Sequence, residues 1–318
     1  MEEFSAIIGQ PQAVQILKNQ ITTGKISHAY LFLGPEGSGK MLTAQAFSRA
    51  VIRSSDGRAD IFLAEGIHPD LLIIQKPESK TKIGKEQVTG TISPWLALKP
   101  YRASRRIVII NQAHYMSIEA ANALLKILEE PPPYAILILV AENYNLLETI
   151  ISRCQLIRFS SLREKDVEQF LINRGIEPNR ALKIGQICQG NLALALRYAE
   201  GEAEISLETA RLIIQQVASG NRAAVFNSVG LMEKEPVLIT NLLQVILRDM
   251  VIYQRTGNQD HMVFLENLDL AKSIRMGDLD KAAQAINKVE ELKRHYMTSV
   301  NPLLVSINVV YEIAEIFL

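Results

Sequence analysis

The stretch Gly34-Pro35-Glu36-Gly37-Ser38-Gly39-Lys40 constrains this chain more than any other. It follows an apolar, strand-like run, Ala29 to Leu33, and precedes a helical pattern, Leu42 to Val51. In that strand–loop–helix context, the spacing G-x-x-x-x-G-K lets successive backbone N–H groups wrap a phosphate at a helix N-terminus, with the lysine as a point charge. The glycines permit the tight path. The chain is therefore expected to hold a P-loop α/β domain, with residues 34–40 as candidate nucleotide ligands. The position after Lys40 normally carries Ser or Thr, whose hydroxyl binds magnesium. Here it is Met41, and a thioether is a poor ligand for a hard cation.

The first ~160 residues alternate apolar runs with helical patterns, as a parallel α/β sheet requires. The expected strands are Ala29 to Leu33, Leu71 to Gln75, Ile107 to Asn111, Ala135 to Ala141 and Gln155 to Phe159. Ser117 is placed to cap a helix whose apolar stripe is Ile118, Ala121, Leu124, Leu125 and Leu128, stopped by Pro131-Pro132-Pro133. After Phe159 the alternation ends. Ser161-x-x-Glu164 has the form of a capping box, and two more short helices are expected near Arg180 to Cys188 and Leu192 to Tyr198. From about Ile205 onward the pattern is of longer helices: Val237 to Tyr253, Leu279 to Tyr296 and Leu303 to Phe317. Asn301-Pro302 opens the last, with proline in its first turn.

Composition narrows the function classes. A chain of 318 residues suits two or three domains. Lys+Arg and Asp+Glu are equal at 34 each, so no net field draws the whole chain to nucleic acid. The two cysteines, Cys154 and Cys188, make neither a disulfide framework nor a zinc site and suit a reducing cytoplasm. No signal-peptide pattern opens the sequence, and no apolar run is read as reaching the roughly 20 residues of a membrane span.

A P-loop ATPase needs an acidic pair at the end of a second buried strand, one carboxylate for magnesium and one to polarise water. The strand Ile107 to Ile110 is instead followed by Asn111 and Gln112. Amides keep hydrogen bonding but cannot accept a proton at neutral pH. His114, two residues on, reads as structural. Met41, Asn111 and Gln112 together predict impaired metal binding and impaired water activation, hence no ordinary ATPase turnover by this chain alone. Nucleotide affinity is expected to be weak or absent, with no metal site.

Several further stretches carry a resemblance. They are Ile8-Gly9-Gln10, His28-Ala29-Tyr30-Leu31-Phe32 running into the P-loop, His68-Pro69-Asp70, the run Ala121 to Pro132 (A-N-A-L-L-K-I-L-E-E-P-P), and Thr149-Ile150-Ile151-Ser152-Arg153-Cys154. With these the chain resembles the bacterial clamp-loader AAA+ family of DNA polymerase III, densely over residues 5 to 160 and more weakly beyond. The resemblance implies a RecA-like P-loop AAA+ domain (1–160), a three-helix lid (161–204) and an all-α C-terminal collar (205–318). It also implies assembly with other loader subunits into a five-subunit ring that opens a sliding clamp and sets it on primed DNA. In that family Ser-Arg-Cys supplies a trans arginine finger. This assigns Arg153 to that role, flanked by Ser152 and Cys154. A guanidinium is always charged, and its planar fork matches phosphate oxygens. Other family positions are degraded: Val140-Ala141 stands where a polar sensor is usual, and Ala193 where a G-x-x-R arginine is usual. Arg53 to Gly66 has no cysteine, which excludes the motor subunits' zinc module. The losses fall on cis ATPase parts, which points to a non-motor subunit. A competent AAA+ motor, of loader or helicase type, is the alternative. A small-molecule kinase fits worst, since no second catalytic carboxylate is visible.

Three smaller signals have plain readings. His68 and Asp70 read as a turn, not a metal site, for want of further ligands at metal spacing. Arg102, Arg105 and Arg106 read as a solvated basic loop, with a DNA-backbone contact as the functional alternative. Cys188 lies on an apolar helix face and reads as core.

Overall fold

A computed structural model describes residues 2–77, 81–297 and 300–317, the side chains of 202–205, 222, 224 and 297 aside. It divides into two compact units. One is Met1–Asp166 with Gly190–Leu192, and the other is Val167–Gln189 with Ala193–Leu318.

The first unit is built on five parallel strands: β1 (Ala29–Leu33), β2 (Leu71–Ile74), β3 (Arg106–Ile110), β4 (Ala135–Ala141) and β5 (Gln155–Arg158), in the order β2-β3-β4-β1-β5. The parallel α/β sheet expected from the apolar runs is present, with strand limits shifted by at most one residue. The three central strands are buried along their whole length, which is why they read as continuous apolar runs. Their side chains alternate between two cores. Tyr30, Phe32, Ile107, Ile109, Ile136 and Ile138 face a layer containing Phe47, Val51 and Leu17. Ala29, Leu31, Val108, Ile110, Leu137 and Leu139 face a layer containing Leu124, Leu128 and Ile92. The first layer comes from the helices Pro11–Thr23 and Lys40–Arg53, and Leu124 and Leu128 of the second from Ile118–Glu129. Ser117 caps that last helix as expected, accepting from the Ala120 N–H at 3.1 Å.

Two expectations are corrected in this unit. The helix after β5 begins at Glu164, so Ser161 lies three residues outside it and the capping box does not form. The arginines before β3 are not a solvated cluster. Arg102 grips Asp56 through two nitrogens at 2.8 and 3.1 Å. Arg106 is buried, its guanidinium 4.2 Å from the Trp95 ring centre, donating to Asp70 at 3.4 Å and to the Trp95 carbonyl. Arg105 donates to the Pro133 carbonyl at 2.5 Å. Asp70 also accepts the backbone N–H groups of Tyr101, Arg102 and Ala103 at 2.7 to 2.9 Å. Burial opposes its charge, but these donors outweigh it and hold its carboxyl below the usual range. His68 sits beside Asp56 at 3.2 Å and accepts the Asp70 N–H at its Nδ1. The turn at Pro69 is therefore the corner of a buried ionic frame.

The second unit is helical, with Glu164–Asn173 entering it and Pro178–Ile187, Leu192–Ala199, Glu202–Ala218, Arg222–Leu231, Pro236–Thr256, Leu279–Lys293 and Pro302–Ala314 among its helices. Within it Lys183 pairs with Glu266 at 3.6 Å and Lys293 with the Gln189 side chain at 2.9 Å, so the short helices pack among the longer ones. Cys188 is buried. Asn301 caps the last helix, accepting from Leu303 N–H at 2.9 Å. One sequence reading needs amending: Pro236–Thr256 is 21 residues and apolar enough to span a membrane by length and composition. It is a core helix, two-thirds buried, and carries Asp249 inside, where the carboxylate accepts from Val263, Phe264 and Asn267.

Candidate functional site

The Gly34–Lys40 loop forms where β1 ends and the helix Lys40–Arg53 begins. Gly37 and Gly39 have φ of 67° and 87°, which L side chains adopt only with strain. Gly37 is also pressed against Asn191: a Cβ added there would stand 1.9 Å from Asn191 Oδ1. The Gly37 carbonyl accepts from Leu192 N–H at 3.0 Å, so the 190–192 strap closes over the loop. Gln10 ties the loop from the other side. Its Nε2 donates to the Ser38 and Ser160 carbonyls at 3.2 and 2.7 Å, and its Oε1 accepts from Ser160 N–H at 3.2 Å.

Lys40 is folded into its own loop. Its ammonium donates to the carbonyls of Gly34 at 2.7 Å and Pro35 at 2.5 Å, and contacts Ser38 Oγ at 3.4 Å. It is only 6% exposed, and burial lowers its pKa to about 8, with Glu142 and Glu36 acting in the opposite direction. Ser38 Oγ turns inward to the Pro35 carbonyl at 2.7 Å. Met41 packs on the first apolar core, and the buried Thr43 hydroxyl donates to Gly39 O at 2.8 Å. Glu36 is exposed.

Asn111 and Gln112 follow β3, and the Asn111 side chain accepts the Gln112 N–H at 3.0 Å. Gln112 has φ 54°, an uncommon conformation for a side-chain-bearing residue. The donor set that Met41, Asn111 and Gln112 offer is a thioether and two amides, which does not fit magnesium. Among the described residues no group of three or more His, Cys, Asp or Glu is arranged to hold a metal.

A second carboxylate at this loop was missed in the sequence. Glu142 is the residue after β4, and it lines a cavity of about 350 Å³ together with Gly34, Pro35, Asn143, Tyr144, Arg158 and Phe159. Burial first, then the charge of Glu36, raise its pKa, while Lys40 opposes the rise. Its backbone N–H donates to His114 Nδ1 at 3.3 Å, and its Oε2 stands 3.8 Å from His114 Nε2. Burial, aided by the Lys40 charge, lowers the His114 pKa to about 4, so this ring is neutral. The first residue after a fully apolar strand, at the sheet end that carries a phosphate loop, was the signal available for Glu142.

Arg153 lies elsewhere. β5 pairs in parallel with β1 from Tyr30↔Gln155 to Leu33↔Arg158. Arg153 precedes β5 and so stands where the strands begin, whereas residues 34–40 stand where they finish. Five strand residues separate the two ends, roughly 15 Å at ~3.3 Å per residue. Arg153 Nη1 donates to the Thr149 carbonyl at 2.9 Å and Nη2 to Glu129 at 2.9 Å, with about a third of the side chain exposed. Ser152 Oγ donates to Thr149 O at 3.2 Å. Burial pushes the Cys154 thiol up to about 12, which leaves it an inert packing group. The sequence-derived candidates thus fall into two groups, at opposite ends of one sheet.

Comparison with known proteins gives the frame for these groups. The family model described as "DNA polymerase III, delta subunit" matches residues 9–163. The chain is 29% identical over 312 residues to DNA polymerase III subunit delta' of Bacillus subtilis, covering 92% of both chains. The chain belongs to the DNA polymerase III clamp-loader family, as a subunit of delta-prime type. A second relative, subunit tau of the same organism, is 31% identical over 209 residues, which is 63% of this chain but 36% of that protein. Among solved structures the delta-prime-type chain is similar to a gamma subunit-related protein of Thermotoga maritima, at 19% identity and a TM-score of 0.49 over 95% and 99% of the two chains.

Proposed function

We propose that this delta-prime-type subunit is the non-motor member of its loader. It contributes Arg153 in trans to the nucleotide of a neighbouring ATPase subunit and hydrolyses little or no ATP itself. The observation that carries the reading is the separation of Arg153 from the chain's own Gly34–Lys40 loop, at opposite ends of the sheet. An arginine there cannot serve its own loop, yet its guanidinium is partly exposed and oriented by Glu129. The amides at Asn111 and Gln112 and the thioether of Met41 support the other half of the reading, loss of cis chemistry. Arg153 would stabilise charge as it builds on the transferring phosphoryl group, an effect worth about 10³ to 10⁵ in rate.

In this reading the subunit works in the cytoplasm within a five-subunit hetero-oligomer that sets a sliding clamp on primed DNA, with the 205–318 helices as collar and 161–204 as lid. Its own loop holds nucleotide weakly or not at all.

The test is reconstitution with the motor and delta-type subunits, followed by steady-state ATPase measurement with primed DNA. The isolated chain is expected to be inert, and Arg153→Ala to depress turnover of the assembled ring. Unchanged ring turnover in that variant overturns the assignment; brisk turnover by the isolated chain overturns the non-motor reading.

A further inference from the structure

The two neutral amides after β3 explain poor catalysis, but they do not explain a phosphate loop with no use for phosphate. The loop still has its glycines, its helix N-terminus and its lysine. The helix N-terminus and the lysine attract anions, and the glycines let the backbone N–H groups turn towards them. What differs is the charge around them. Lys40 is not offered outward; it is bonded to Gly34 O, Pro35 O and Ser38 Oγ. A carboxylate is delivered to the same loop, on a cavity wall shared with Gly34 and Pro35. Gly34 N–H donates to the Ala141 carbonyl at 3.3 Å, so the residue following Ala141 is set against the loop by backbone bonding. That residue is Glu142, and it shares its cavity wall with Gly34 and Pro35. His114 holds its main chain at 3.3 Å and stands 3.8 Å from its carboxylate.

We propose that Glu142 is the residue that closes this loop to nucleotide. Its carboxylate is the built-in counter-charge of Lys40 and repels the phosphates of a nucleoside di- or triphosphate. The inference deepens the proposed weak nucleotide affinity and rests on that reading. It assigns the loss of affinity to charge at the end of β4, not to the missing magnesium ligands. Metal-free nucleotide is therefore the discriminating ligand, because Met41, Asn111 and Gln112 bear on the metal and on water activation, neither of which enters binding of ADP in EDTA.

The experiment is titration of the full chain with ADP in EDTA, by calorimetry, for the native protein, Glu142→Gln, Glu36→Gln and the double variant Glu142→Gln/Lys40→Met. Glutamine keeps the shape of Glu142 and removes the charge; matched thermal unfolding curves check the fold, and Glu142→Thr serves if glutamine perturbs it. Glu142→Gln is expected to bind ADP tighter by about tenfold or more, the scale of one charge–charge interaction near a protein surface. The exposed Glu36 is screened, so Glu36→Gln changes affinity less. Lys40→Met erases the gain. If native protein and Glu142→Gln bind equally weakly, the Glu142 assignment falls while the nucleotide-poor reading stands. If the native chain already binds ADP at submicromolar concentration, both fall. A gain that survives Lys40→Met, or an equal gain from Glu36→Gln, also overturns the proposal.

Discussion

Arg153 Nη2 donates to Glu129 Oε1 at 2.9 Å, tying the residue ahead of β5 to the end of the Ile118–Glu129 helix. Both partners are substantially exposed, at 36% and 51% of their side chains. An ion pair of this kind adds about 1 kcal/mol or less to stability. With the Thr149 carbonyl as second acceptor, the guanidinium is held in one direction, and the proposed role requires it to exchange the Glu129 carboxylate for phosphate.

On the proposed trans role, Arg153→Ala is expected to lower ATPase turnover of the reconstituted loader by about 10³-fold at the neighbouring site. Arg153→Lys falls nearly as far, because a point charge lacks the planar fork. Glu129→Gln keeps the arginine and loses a smaller factor. All three variants melt within a few degrees of the native protein, which separates a functional role from a structural one.

Asp70→Ala is expected to be severely destabilising, by about 3–5 kcal/mol, because it strands the buried Arg106 charge and three backbone N–H donors. Denaturant unfolding measures it. A loss below about 1 kcal/mol, the worth of an ordinary surface pair, contradicts the buried-frame description.

Gly37→Ala and Gly39→Ala separate two costs. Both residues have positive φ, but Gly39 has open space where a Cβ would go and Gly37 meets Asn191 at 1.9 Å. Gly39→Ala is expected to cost about 1–2 kcal/mol from backbone strain alone. Gly37→Ala costs more, and Asn191→Ala in the same chain recovers part of the difference, a coupling that a double-mutant cycle reads directly.

His114 gives a pH dependence. Its folded pKa, about 4, lies below the ordinary value of 6.5. A depressed histidine contributes stability above pH 6.5 that is lost as pH falls towards 4, because the unfolded chain takes up the proton first. Glu142, raised above its ordinary value, works the other way and softens the slope. His114→Gln is expected to flatten the fall in unfolding free energy between pH 6.5 and 4. An unchanged slope contradicts a buried neutral ring.

Most of the sheet was legible because its strands are short apolar runs bounded by Gly, Pro and polar residues. Ala29–Leu33 and Ala135–Ala141 are read to the residue. The helix at Ile118 was legible from Ser117 and the proline stop. Ser161 misled, since a capping-box spacing identifies a helix start only if the chain turns there, and it turns at Glu164. Arg102 and Arg106 misled for a different reason: a run of charge reads as solvated until its counter-ions are known, and Asp56 and Asp70 lie 46 and 36 residues away in the chain.

By itself the sequence determined which segments are strands, where the phosphate loop falls and that two amides, not carboxylates, follow the third strand, since all three are questions of local periodicity and spacing. Only the tertiary structure decided which charges meet. Strand order lays β4 beside β1 and so brings Glu142 to the Gly34–Lys40 loop, and a local pattern does not encode which strand lies beside which.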